Sequence, residues 1–285
     1  MGARGLLVAL WIAGLSGCAA EPVQGEGMSE ELKKMILSGN SSAPDLARQL
    51  GRKANPVLLE LAKNPETNVR IETMFCLSET GGPEAADALI AGLADGHPQV
   101  AGAAIGGAQK HLAPACLPAL LKAYDAAPLG DYRHHIALLI GRLDKAVDIK
   151  ELKKRRETEL DPAAQEGCLV AMARLGDKDA QQDFVKRLHA SKGRERGRWL
   201  DHVKYIGAAW LLKPLLPILD DRTGVLRIGA DGGEGLIPEY LRACDVATNL
   251  AAAISARKFT FRVDGKTNYT EPQLDEARKF LKTVP

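Results

Sequence analysis

The chain keeps restating one unit, a pair of short apolar-periodic segments separated by turn residues. One segment runs from Asn55 to Pro65 and is followed by Asn68 to Leu77. A Gly81-Gly82-Pro83 break comes next, then a segment from Glu84 that ends at Ala94-Asp95-Gly96, and His97-Pro98-Gln99-Val100 opens another. The rhythm returns at Asp131-Tyr132-Arg133, at Asp161-Pro162-Ala163-Ala164 and from Lys192 to Gly207. The interval is roughly thirty to thirty-six residues, the range of two-helix repeats. Leu58, Leu61 and Ala62 share one helical face, as do Ala86, Leu89, Ile90 and Leu93. Strand-like alternation is nearly absent before residue 258. A lone pair of this kind cannot hide its apolar stripe, so each pair must stack on the next. The expected fold class is all-α, an α-solenoid.

Composition agrees. Aromatic residues are only 5% of a chain that is 46% hydrophobic, which suits closely packed helices rich in Ala and Leu. The formal net charge is +2, too small for a global field that would gather nucleic acid or anionic lipid. Four cysteines, Cys76, Cys116, Cys168 and Cys244, lie inside helical apolar stretches and form no CxxC pair. They read as buried small hydrophobes, and no zinc spacing is present.

The N-terminus has a different character. Arg4 precedes an apolar stretch from Leu6 to Leu15, and Leu15-Ser16-Gly17-Cys18 follows. The apolar core is about ten residues, too short to span a bilayer core of roughly 30 Å. This is the layout of an export signal. Its ending resembles the lipobox of bacterial lipoproteins. That resemblance implies removal of residues 1–17, acylation of Cys18, and a membrane anchor made of several acyl chains. Ala19 and Ala20 imply sorting to the outer membrane, so the expected location is the bacterial envelope, facing the periplasm. Residues 18–28 read as a polar tether, about 17 Å long on average. Ser29 is expected to cap the first helix and Gly39 to stop it, while Ser42 and Asp45 have capping-box spacing.

Asn68-Val69-Arg70, Leu241 to Ala247 and the Leu175-Gly176-Asp177 turn resemble HEAT repeats, including the short HEAT-like class of phycobilin lyases. The likeness covers roughly residues 43–255 within an expected array of 29–257. It implies an arginine–acid ladder between repeats and a concave face lined by the second helix of each pair. Exposed cations expected there are Lys122, Lys153, Lys154, Lys186, Arg187 and Lys213. They would make a basic groove for an acidic protein or peptide. Their bland reading is a set of solvated helix faces, which charge runs usually are. Gln99-Val100-Ala101-Gly102 lacks the arginine, and Gly102, Gly106 and Gly107 each weaken their helix by about 1 kcal/mol. The charged stretch 145–160 interrupts the apolar stripe.

Residues 258–285 are expected to cap the array. Lys258 to Val263 alternates into Asp264-Gly265, a hairpin signal, and Thr270 opens an amphipathic helix bearing Leu274, Ala277, Phe280 and Leu281. Other patches carry weaker signals. Arg194, Arg196, Arg198, Trp199, His202 and Lys204 mix cations with an aromatic, and Trp199 is expected in the core. His134 and His135 point about 100° apart on a helix, unlike an i, i+4 metal pair. Asp231 to Gly235 lacks the ligand series of a phosphate or calcium loop. No cofactor is implied. Two function classes remain: an envelope scaffold holding a protein or peptide, and an enzyme or accessory of the phycobilin-lyase kind, for which Cys116 is the best thiol.

Overall fold

The computed structural model describes residues 24–228 and 239–284. Residues 1–17, Cys18 and Asp231 to Gly235 lie outside them. Fifteen α-helices are described, and most alternate between two layers. The first helices are α2 (Ala43–Leu50), α4 (Thr67–Thr80), α6 (Pro98–Lys110), α8 (Gly130–Gly141), α10 (Pro162–Arg174), α12 (Gly193–Ile206) and α14 (Ala243–Ser255). The second helices are α3 (Asn55–Leu61), α5 (Pro83–Gly92), α7 (Leu117–Ala126), α9 (Ile149–Thr158), α11 (Lys178–Ala190), the short α13 (Leu212–Leu215) and α15 (Glu271–Thr283). Helix α1 (Gln24–Leu37) closes the N-terminal end against α2, α3 and α4. From Thr67 to Gly193 the first helices open every 31 or 32 residues. The fold is an all-α, HEAT-like solenoid.

The turns explain the spacing. Pro83, Pro98 and Pro162 start helices at the position where a missing N–H costs nothing. Asp148, Asp161 and Asp177 accept hydrogen bonds from the next helix's free amides. Leu58, Leu61, Ala86, Leu89, Ile90 and Leu93 are all buried between layers.

Three neighbouring pairs of first helices, α2–α4, α4–α6 and α8–α10, pack more closely than any neighbouring pair of second helices. A methyl group on Gly167 of α10 would sit 2.6 Å from the His134 Cα in α8. One on Gly141 of α8 would sit 2.9 Å from the Ala171 Cβ. Glycine is required at both because two backbones nearly touch.

The arginine ladder is present, and it alternates. Arg70, Arg133 and Arg196 are each the fourth residue of a first helix. Arg70 donates to both carboxylate oxygens of Asp95 at 2.9 and 3.2 Å. Arg133 does the same to Glu159 at 2.8 and 3.1 Å, and Arg196 donates to Asp221 at 2.8 Å. Each also holds a backbone carbonyl in the turn before its own helix. Ala101 and Gln165 occupy the same place in α6 and α10, so the clamp recurs in every second repeat.

Several local expectations are corrected. Helix α1 begins at Gln24, inside the expected tether, rather than after Ser29. Ser42 makes no side-chain cap; Asp45 turns to Arg48 instead. Gly39, at φ 68°, does end α1. Residues 257–269 form an irregular strap, not a hairpin. Asp264 and Gly265 still turn the chain, since the Asp264 carboxylate accepts from the Lys266 amide at 2.9 Å. Phe259 and Phe261 stack on each other and pack against Phe280 and Tyr269, which uses the alternating aromatics for packing instead of pairing. The antiparallel pair lies earlier, in β1 (Gly224–Ile228) and β2 (Glu239–Arg242). Thr270 caps α15 as expected, in a capping box with Gln273.

Candidate interaction surface

The looser spacing of the second helices opens clefts between them. The first lies between α3 and α5 and has a volume of about 450 Å³. Leu59 and Ala62 form one wall, Ala88 and Ala91 the other, and Met74 of α4 the floor. The next, about 300 Å³, lies between α5 and α7 and shares Asp87 and Ala91 with the first. A third, about 400 Å³, lies between α9 and α11. On α5 the cleft-facing Ala88, Ala91 and Gly92 are small and leave apolar floor open, while Glu84 and Asp87 put carboxylates beside it.

All six expected cations sit on second helices, but they do not make one basic groove. Lys153 pairs with Asp177 at 2.7 Å, and Arg187 with Asp183 at 3.0 Å. The α9–α11 cleft presents Glu157, Asp177, Asp179 and Asp183 against Lys153 and Arg156. Its net sign is negative. Lys153 and burial act on Asp177 in opposite directions; the ion pair and the backbone amides prevail and hold its carboxyl below the ordinary aspartate range. Lys122 lines the α5–α7 cleft. Lys154, Lys186 and Lys213 are exposed helix-surface residues.

The charged stretch 145–160 becomes α9, whose buried residue is Leu152. Ion pairs hold this helix in place of an apolar stripe. Arg155 reaches Asp125 at 2.8 Å and Arg156 reaches Asp183 at 2.7 Å. Beside it, the Tyr124 hydroxyl lies 3.3 Å from the Cys168 sulfur and donates to Glu159 at 3.2 Å. Burial pushes the phenol pKa well up.

Two arginines of the basic stretch of α12 are paired with carboxylates from neighbouring elements. Arg196 is clamped to Asp221, and Arg198 reaches Glu166 at 3.0 Å. Trp199 is core, 2% exposed. His202, read in the sequence only as one member of this basic stretch, has its Nε2 3.0 Å from the Glu166 carboxylate in a buried contact. Burial raises the Glu166 pKa, but the His202 bond and the Arg198 charge outweigh it and hold the group below the ordinary range. His134 and His135 part as helix geometry requires. His134 turns inward, its Nδ1 3.0 Å from the Ala163 carbonyl, and burial lowers its pKa. His135 stays exposed on the Asp131 carbonyl. Among the described residues no cluster of three metal-ligating side chains occurs.

Cys76, Cys116, Cys168 and Cys244 are all buried and free. Burial pushes the Cys76 thiol up to about 12 and the Cys168 thiol to about 11. Such thiols are poor nucleophiles. Cys116 is 6% exposed, so its place near a turn does not open it to solvent.

A family model for HEAT repeats matches residues 43–109, from α2 through α6. Residues 43–109 therefore carry HEAT repeats, and the remaining helix pairs stack in the same HEAT-like manner. No curated protein matches the chain. The matched HEAT repeats include both walls of the α3–α5 cleft. HEAT repeats commonly serve as helical scaffolds for protein–protein interaction, and this chain has the architecture for that role.

Proposed function

We propose that the protein is an envelope scaffold, tied to a membrane by acylated Cys18, which holds a protein or peptide partner on its second-helix face. The observation that carries the binding half is the run of clefts beside α5 in a HEAT-repeat array. An apolar concavity with a few polar groups is the usual form of a recognition surface. The anchoring half is supported by the Leu15-Ser16-Gly17-Cys18 sequence. No helix of the described residues is long and apolar enough to cross a membrane. The thiol form of the catalytic alternative rested on Cys116, and the burial of Cys116 speaks against that form.

The test joins both halves. The chain is expressed from residue 1 in a bacterial host, and its mature N-terminal peptide is weighed by mass spectrometry. The expected peptide begins at acylated Cys18, and Cys18→Ala should leave the protein in the soluble fraction. Photo-crosslinkers placed on second-helix clefts should then capture a partner that the same crosslinkers on buried-layer edges do not. An unmodified N-terminus refutes the anchor. Equal capture from both faces refutes the binding surface.

A further inference from the structure

The ridge between the two clefts beside α5 is Asp87 with Ala91, which lie one turn apart and line both cavities. Glu84, on the same α5 face, adds a second carboxylate at the helix's positive end. Neither has an ion-pair partner among the described residues. Asp95 also faces the first cleft, but Arg70 clamps it. On the far walls stand Lys63 of the α3 side and Lys122 of α7. Across the surface the order is therefore cation, apolar cleft, carboxylates, apolar cleft, cation.

We infer that this surface docks an amphipathic helix of a protein partner that carries two apolar anchors seven residues apart and a Lys or Arg midway between them. The inference deepens the scaffold reading and rests on it. The two clefts flank the single helix α5, and a helix with its side chains is about 10–12 Å across, so the clefts have about that separation. Positions i and i+7 of a helix are about 10.5 Å apart on one face, with i+3 and i+4 between them. A cation there meets Asp87 and Glu84. The cleft volumes, about 450 and 300 Å³, admit Leu- or Phe-sized anchors. This is helix-in-groove recognition. The partner's central charge is positive, opposite to the sign that the row of lysines in the sequence suggested.

The probe is a fluorescein-labelled helical 15-mer with Leu at i and i+7 and Lys at i+3 and i+4, titrated with the full mature chain by anisotropy. A control peptide carries Glu at i+3 and i+4. We expect at least tenfold weaker binding of the control, and at least tenfold loss for the Lys peptide in Ala91→Arg and in Asp87→Lys. Ala91 and Asp87 are exposed, and matching thermal melts show that both variants fold. Lys186→Glu should change nothing. No binding, equal binding of both peptides, or a loss caused only by Lys186→Glu overturns the inference. Crosslinked capture of a partner through other clefts, with Ala91→Arg without effect, would overturn this dock while leaving the scaffold standing.

Discussion

Gly167→Ala and Gly106→Ala make the same chemical change in two first helices, and the structure expects opposite signs. In an exposed helix interior the change gains about 1 kcal/mol. Around Gly106 nothing lies within 4 Å of the new methyl, so that gain is kept. At Gly167 the methyl would lie 2.6 Å from the His134 Cα and 2.7 Å from its carbonyl oxygen. Carbon contacts settle near 3.5–4.0 Å, so α8 and α10 must part by about 1 Å. No rotamer relieves the clash, because the obstruction is backbone. Overpacking costs about 1–3 kcal/mol, and a backbone clash belongs at the upper end. After the propensity gain the net loss is about 2 kcal/mol. For a chain of this size about 2–4 °C follows each kcal/mol. Gly167→Ala should therefore lower Tm by about 4–8 °C, and Gly106→Ala should raise it by about 2–4 °C. Differential scanning calorimetry of the two variants beside the parent reads both. A Gly167→Ala protein as stable as Gly106→Ala would refute the close approach of the two helices.

Other expectations follow from the buried polar groups. His134 has a lowered pKa, so it contributes stability above its unfolded value near 6.5, and that contribution is lost as pH falls through the folded value. The groups facing it are His135, His202 and Glu166; urea midpoints should drop from pH 7.5 to 5.5 in the parent and less in His134→Gln, and identical slopes would remove His134 as the cause. Arg133→Ala strands Glu159, which is 10% exposed, and should cost roughly 1.5–3 kcal/mol, the range for hydrogen bonds to charged groups; chemical denaturation with a change under 0.5 kcal/mol would show the ladder to be idle. In a Cys18→Ser chain the four buried thiols should react with a disulfide reagent only as fast as the protein opens; one thiol labelling at the free-cysteine rate would contradict the burial of Cys116.

The legible part of the fold was whatever depends on neighbours in sequence. Helical periodicity placed Leu58, Leu89 and Leu274 in the core, Thr270 at a helix start and Trp199 inside, because each depends on a local pattern and on apolar area. The Arg70 signature was readable, and so was its absence at Ala101, but not the acidic partners, since Asp95, Glu159 and Asp221 lie 25 or 26 residues further on in turns of variable sequence. Periodicity also missed the β1–β2 pair and the pairing of His202 with Glu166. Strand alternation and a lone histidine gain meaning only from what they face.

Apolar spacing and turn residues alone dictated paired helices that must stack, because no pair can bury its stripe unaided. Tertiary structure alone decided the chemistry of the surface. Two lengths set it: the near contact of first-helix backbones at Gly141 and Gly167, and the wider separation of second helices that leaves the clefts. The charges followed the same division. Lys153 and Arg187 looked like a binding site along the chain, yet carboxylates brought beside them by folding neutralise both. Coulomb energy depends on distance in space, and the linear sequence does not contain that distance.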